Sequence, residues 1–171
     1  MSVIVFWLAV AAVGIALGVA RRGRLEALLD LSIRGGPLAL GLLAVDLVVL
    51  PRLAPLSLLE PALPWAAFAT IAGLLVIALL NRTVFQPLPL WLLGIGMNAG
   101  YLLANGGYAY VVRPAAFAAS VPLIALPDFV AAPFLAAWLP LPGDGWVSPG
   151  DLVLAVAAIW AVQAAMRSRA A

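Results

Sequence analysis

Among the polar side chains inside apolar runs of this sequence, where a polar group is costly, Asp46, Asn98, Tyr101 and Asn105 are the candidates for a polar core. A carboxylate at the centre of a membrane helix costs roughly 2.5–3.5 kcal/mol on insertion scales, so it normally faces the bundle interior and has a partner. Asp46 therefore has two readings. It is a proton, cation or ligand contact, or it is a structural group, protonated or hydrogen-bonded to Asn98 at a similar depth on another helix. Gly94, Asn98, Tyr101 and Asn105 fall on one helical face, at spacings of four, three and four. A polar stripe of this kind can line a path for a small solute or hold neighbouring helices together.

A second set of residues marks helix ends. Asn105, Gly106 and Gly107 read as a helix stop, because Gly or Asn past the last turn takes the left-handed conformation that satisfies orphan carbonyls. Ser148-Pro149-Gly150-Asp151 matches a capping box, with Ser at the N-cap, Pro at the first helical position and an acid three residues after the Ser. A capping role outweighs a catalytic one. The chain has no His, no Cys and no Lys. Their absence excludes disulfides, zinc sites, haem held by His or Cys, and thiol or Ser-His catalysis. Glu60, Asp128, Asp144 and Asp151 could form an outer carboxylate site, but no DxD-type spacing joins them. No catalytic residue, metal or cofactor is assigned.

The elements that position these residues follow from composition. The chain has 171 residues, is 66% hydrophobic and 9% charged, and has a mean hydropathy of +1.17. A soluble domain is nearer half apolar and a quarter charged, so the expectation is an all-α integral membrane protein with a single membrane domain. Five transmembrane helices are expected, over about 3–20, 37–53, 65–80, 90–105 and 151–166. Gly14 and Gly18 make a GxxxG pair on the first, with Ala11 one turn earlier. Leu25, Leu28 and Leu29 share a face of an interfacial helix over about 24–34, whose arginines belong near lipid phosphates. The fourth span carries Gly96, Gly100 and Ala104 as a small-residue stripe opposite its polar one. Two such stripes predict a central helix packed on both sides by protein, with the first, second and fifth spans as neighbours.

Charge sets the orientation. No basic residue precedes the first span, and Arg21, Arg22 and Arg24 follow it, so the N-terminus is outside and the helix is retained. Between Tyr108 and Asp144 the chain is apolar but broken by six prolines, and neither apolar arm reaches the roughly 20 residues of a full span. If this segment does not cross, Arg21, Arg22, Arg24, Arg34, Arg82, Arg167 and Arg169 lie in the cytoplasm and only Arg52 and Arg113 lie outside. The outer segment, about 114–142, is then a re-entrant hairpin or a pair of interfacial helices, and the C-terminus is cytoplasmic. The arginines are scattered at span ends and form no patch for nucleic acid. Abundant Ala, Leu, Gly, Pro and Arg without Lys suggests a bacterial source, hence the plasma membrane.

Two stretches carry a family resemblance. LGIGMNAGYLLANGG and LPLPGDGWVSPGDLVL, with GRLEALLDLSIRG and the Asn81-Arg82 pair, resemble a bacterial family of small membrane proteins grouped as domain of unknown function 5317. The matching positions are Asn98, Asn105 to Gly107, Pro140 to Pro142, Ser148, Gly150 and Asp151. Where the family shows Met-Pro-Val after Asn-Gly-Gly, this chain has Ala109, Tyr110 and Val111, and its outer segment lacks a polar, histidine-containing stretch. The resemblance implies the same span count. It also implies that the Asn-Gly-Gly and Ser-Pro-Gly-Asp blocks form one outer-face constellation.

Three functions are compatible with these residues. The first is a non-catalytic accessory or assembly subunit of a larger membrane complex, with the bilayer and other membrane subunits or further copies of itself as partners. The second is transport of a small solute or ion past Asp46 and Asn98. The third is an intramembrane enzyme with an outer carboxylate site. Small-residue stripes and few polar groups rank the accessory subunit first and transport second.

Overall fold

The computed structural model describes residues 2–45, 63–106, 131–137, 139–141 and 145–167. The fold is mostly helical. Helix α1 spans Ser2–Ala20, α2 Glu26–Leu29, α3 Gly36–Ala44, α4 Leu63–Leu80, α5 Leu88–Ala104 and α6 Pro149–Arg167. A 3-10 turn covers Pro133–Leu135, and strands β1 (Leu139–Leu141) and β2 (Gly145–Val147) form an antiparallel pair with Leu139 opposite Val147.

The helix boundaries follow from local chemistry. Helix α1 has no proline or charge along its length and stops in a Schellman turn. There the Gly23 N–H bonds the Gly18 carbonyl at 2.9 Å and the Arg22 N–H bonds the Val19 carbonyl at 2.8 Å. The left-handed residue of this turn is Arg22, with φ 63°, where glycine is usual. Gly35 takes φ 75° directly before α3, and Pro37 sits in the first turn of that helix, where a missing N–H costs nothing. Helix α5 likewise opens behind Pro87 with Pro89 in its first turn.

Among the described residues, helix contacts run in the order α1, α6, α5, α4, α3. Glycines set the closest of these contacts. A β-carbon on Gly14 would lie 3.1 Å from Val162 Cβ and 3.3 Å from Ile159 Cα, and Gly18 packs under the Met166 sulfur. The GxxxG pair of α1 is therefore a real seam, and α1 and α6 run parallel. Ala11 lies outside the seam and is exposed, while Val10 is buried. Helix α5 crosses α6 antiparallel, with Gly94 beneath Leu154 and beside the Gly150 carbonyl. Gly73 of α4 receives Leu42 of α3.

Several expectations are corrected here. The hub is α6, not α5: it carries Ala157 and Met166 at 0% exposure and contacts α1, α2, α5 and the 3-10 turn. Among the described residues the main neighbours of α5 are α6 and α4, where the first, second and fifth spans were expected. Among the described residues, only α1 and α6 are long and apolar enough to cross a membrane, with 17% and 33% of their spans buried inside the protein. The helices over 65–80 and 88–104 are apolar but shorter, so five full spans are not observed. The interfacial helix expected over 24–34 is a single turn, 26–29. The all-α expectation holds, with the short β1–β2 pair as an addition to it. Pro140 keeps this stretch out of a helix and leaves one ladder donor missing opposite Trp146. Asp46, Gly107, Glu60, Asp128, Asp144 and residues 114–130, 138 and 142 of the outer segment lie outside the described residues, as does the end of the expected 37–53 span.

Candidate functional site

The polar residues collect at three junctions, and each junction joins segments far apart in sequence. The first lies where α5 meets the start of α6. Ser148 caps α6: its hydroxyl accepts the Asp151 N–H at 3.1 Å, and the Asp151 carboxylate accepts the Ser148 N–H at 3.0 Å. This is the reciprocal capping box expected from the Ser-Pro-Gly-Asp motif. The carboxylate also lies in the first helical turn, where the helix dipole favours negative charge. Asn98 of α5 completes the junction. Its amide Nδ2 donates to Asp151 Oδ1 at 2.8 Å, and its Oδ1 lies 2.9 Å from the Ser148 hydroxyl.

Gly150 is what lets Asn98 reach the cap. A β-carbon at Gly150 would coincide with the Asn98 side-chain oxygen and stand 3.0 Å from the Gly94 carbonyl. Gly94 and Gly150 together bring the two helices close enough for a side chain of one to enter the cap of the other.

The chemistry open to this junction is narrow. Ser148 Oγ also lies 2.8 Å from Asp151 Oδ2, so its single proton has two oxygen neighbours and serves one at a time. A nucleophilic serine needs an adjacent base strong enough to take its proton, ordinarily His or Lys. The chain has neither, and Ser148 is 9% exposed. Among the described residues no cluster of three or more acids could hold a metal ion. The arrangement ties two helices together.

The second junction is at the end of α5. Asn105 donates from Nδ2 to the Ala131 carbonyl at 3.0 Å and accepts the Ala131 N–H on Oδ1 at 3.0 Å. The same Nδ2 also donates to the Tyr101 carbonyl at 2.9 Å. Both ends of the amide are thus engaged with backbone. Gly106 takes φ 64°, the left-handed turn expected of the helix stop. Tyr101 is buried at 5% exposure.

The third junction repeats that device at the other end of the molecule, at Asn81, to which the sequence reading gave no site role. Asn81 follows α4 directly. It accepts the Arg34 N–H at 2.7 Å and donates to the carbonyls of Arg34 and Ile77 at 2.9 and 2.8 Å. Both asparagines are the first residue past a helix, bond back four residues, and clasp the N–H and C=O of one distant residue. An Asn directly after an apolar run was the available signal. Gln163 was also missed as a contact: its Oε1 accepts from Arg21 at 2.7 Å, while the Arg24 N–H bonds the Met166 carbonyl at 3.0 Å.

The sequence-expected residues thus divide. The structure brings Asn98, Ser148, Gly150 and Asp151 together and sets Asn105 and Gly106 at a separate clasp. The described partners of Asn98 are Ser148 and Asp151, while Asp46, expected as its partner, lies outside the described residues. Comparison with family models, with curated proteins and with solved structures returns no match, so the functional reading rests on this geometry.

Proposed function

We propose that this protein is a multi-pass helix bundle of the bacterial plasma membrane that serves as a non-catalytic accessory or assembly subunit of a larger membrane complex. One observation carries the reading. Gly96, Gly100 and Ala104 make a small-residue face on α5 that is exposed, and among the described residues nothing lies within 4 Å of a β-carbon built on either glycine. This face was expected to be packed by this chain, and no described residue packs it. The opposite face of the same helix is locked to α6 through Gly94 and Asn98. Small residues let another membrane helix approach closely, and van der Waals packing along such a stripe drives association in lipid.

The polar residues support the same reading. Asn81, Asn98 and Asn105 use their amides within the fold. Transport remains the second reading of the sequence, and nothing among the described residues favours it over the first. Orientation follows from charge: all six described arginines lie at the end of the bundle that holds the C-termini of α1, α4 and α6, which makes that end cytoplasmic.

Purification in a mild detergent tests the proposal. The expected result is co-elution with a membrane partner or a second copy, abolished by G96L/G100L. A monomer with no partner, unchanged by G96L/G100L, overturns it.

A further inference from the structure

The arginine end of the bundle has a second property that the assembly role does not use. Residues 21–35, the 81–87 connection and the last turn of α6 are drawn together there by the Arg34–Asn81 clasp, the Arg24–Met166 backbone bond and the Arg21–Gln163 hydrogen bond. This places six arginines at one end against two acids, Glu26 and Asp30. All six are exposed, and the one ion pair between described residues, Arg24 to Glu26, is solvent-exposed on both sides. Arg21 points into the protein at Gln163, whereas Arg22, Arg34 and Arg82 make no ion pair among the described residues.

Apolar side chains sit in the middle of this charge. The α2 turn buries Ala27 against the fold and turns Leu25 and Leu29, four residues apart, away from it at 51% and 88% exposure. Water is a poor medium for a leucine so exposed, and these two share the end of the bundle that holds the described arginines. A lipid interface suits both, because acyl chains take the leucines and headgroup phosphates take the arginines.

We infer that this end is a docking surface for anionic phospholipid headgroups, with Leu25 and Leu29 inserted at the acyl boundary. The occupant is lipid and not a free phosphate ion, because the two leucines contribute nothing to an ion. Guanidinium donors match phosphate oxygens in fork geometry, which favours Arg over a point charge at such a surface. The inference rests on the membrane reading and extends it from orientation to lipid selection.

The test is native mass spectrometry of the full chain, purified in detergent and supplied with equal phosphatidylglycerol and phosphatidylcholine. The expected result is retention of phosphatidylglycerol over phosphatidylcholine by about fivefold or more, declining as ionic strength rises. R22Q/R34Q/R82Q brings the ratio near one, and L25S/L29S weakens retention of both lipids. Millimolar inorganic phosphate leaves the preference in place. Equal retention of the two lipids by the unmodified protein overturns the inference, and so does displacement by inorganic phosphate. Alkaline extraction of membranes separates the two readings: a protein released by carbonate fails the membrane reading itself, while a retained protein without lipid preference fails only this one.

Discussion

Asn98 and Gly150 approach so closely that no β-carbon fits between them. An asparagine from one helix occupies the cap of another, and the capping motif leaves room for it only because its third residue is glycine. Recognition between α5 and α6 is thus written partly in an atom that is missing.

Adding that atom has a definite consequence. G150A is expected to destabilise the protein by about 1–3 kcal/mol, the usual range for overpacking a tight contact. G96A adds the same methyl on an open helix face. It is expected to stabilise by roughly 0.5–1 kcal/mol through the lower backbone entropy of alanine. Thermal unfolding in detergent reads both, and effects of the same sign would contradict the contact described.

Replacing Asn98 separates its donor from its acceptor role. N98L strands Ser148 and Asp151 and is expected to cost about 1–3 kcal/mol. N98D removes the donor and sets a second carboxylate beside Asp151. Protonation relieves that repulsion, so N98D gains stability relative to the parent as pH falls from neutral toward 4. Unfolding midpoints across that range check the sign.

The two clasps should behave alike. N81D and N105D keep an acceptor for the Arg34 and Ala131 N–H groups but lose the donor to the paired carbonyls. N81A and N105A lose both. Hydrogen exchange at residues 34 and 131 is expected to accelerate strongly in the alanine variants and less in the aspartates. Unchanged protection in N81A or N105A would refute the clasp concerned.

Arg22 holds a left-handed conformation that costs a side-chain-bearing residue roughly 1–2 kcal/mol. R22G removes that strain while adding freedom to the unfolded chain, and a net gain of up to about 1 kcal/mol is expected. A loss of stability on R22G would mean that the Arg22 side chain contributes more than its backbone costs.

Topology is directly measurable because the chain has no cysteine of its own. R82C is expected to resist a membrane-impermeant maleimide applied to whole cells, and F134C to react with it. The reverse pattern would invert the orientation.

Helix positions were legible in the sequence because apolar runs, prolines and glycine stops are local signals. The last span was expected over 151–166 and the helix runs over 149–167, and its capping box was legible down to the individual residues. Pairing was not legible. Asn98 was matched to Asp46 by depth alone, whereas its partners Ser148 and Asp151 depend on which helix lies beside α5, which hydropathy does not encode. The opposite stripe on α5 shows the same limit. Gly96 and Gly94 have the same spacing value to a reader of sequence, yet one is open and the other is beneath Leu154. Glycine marks where a close approach is possible, and only the fold shows where one occurs.

The α1–α6 seam has a consequence for biosynthesis. The glycine pair of α1 is made long before its partners Ile159, Val162 and Met166. At roughly 5–20 residues per second, on the order of ten seconds pass before α6 emerges from the ribosome. Through that interval α1 has no finished seam to enter, and lipid or an insertion chaperone must shelter it. The ribosome therefore delivers the hub after every other described helix, and α1 and α5 wait for it.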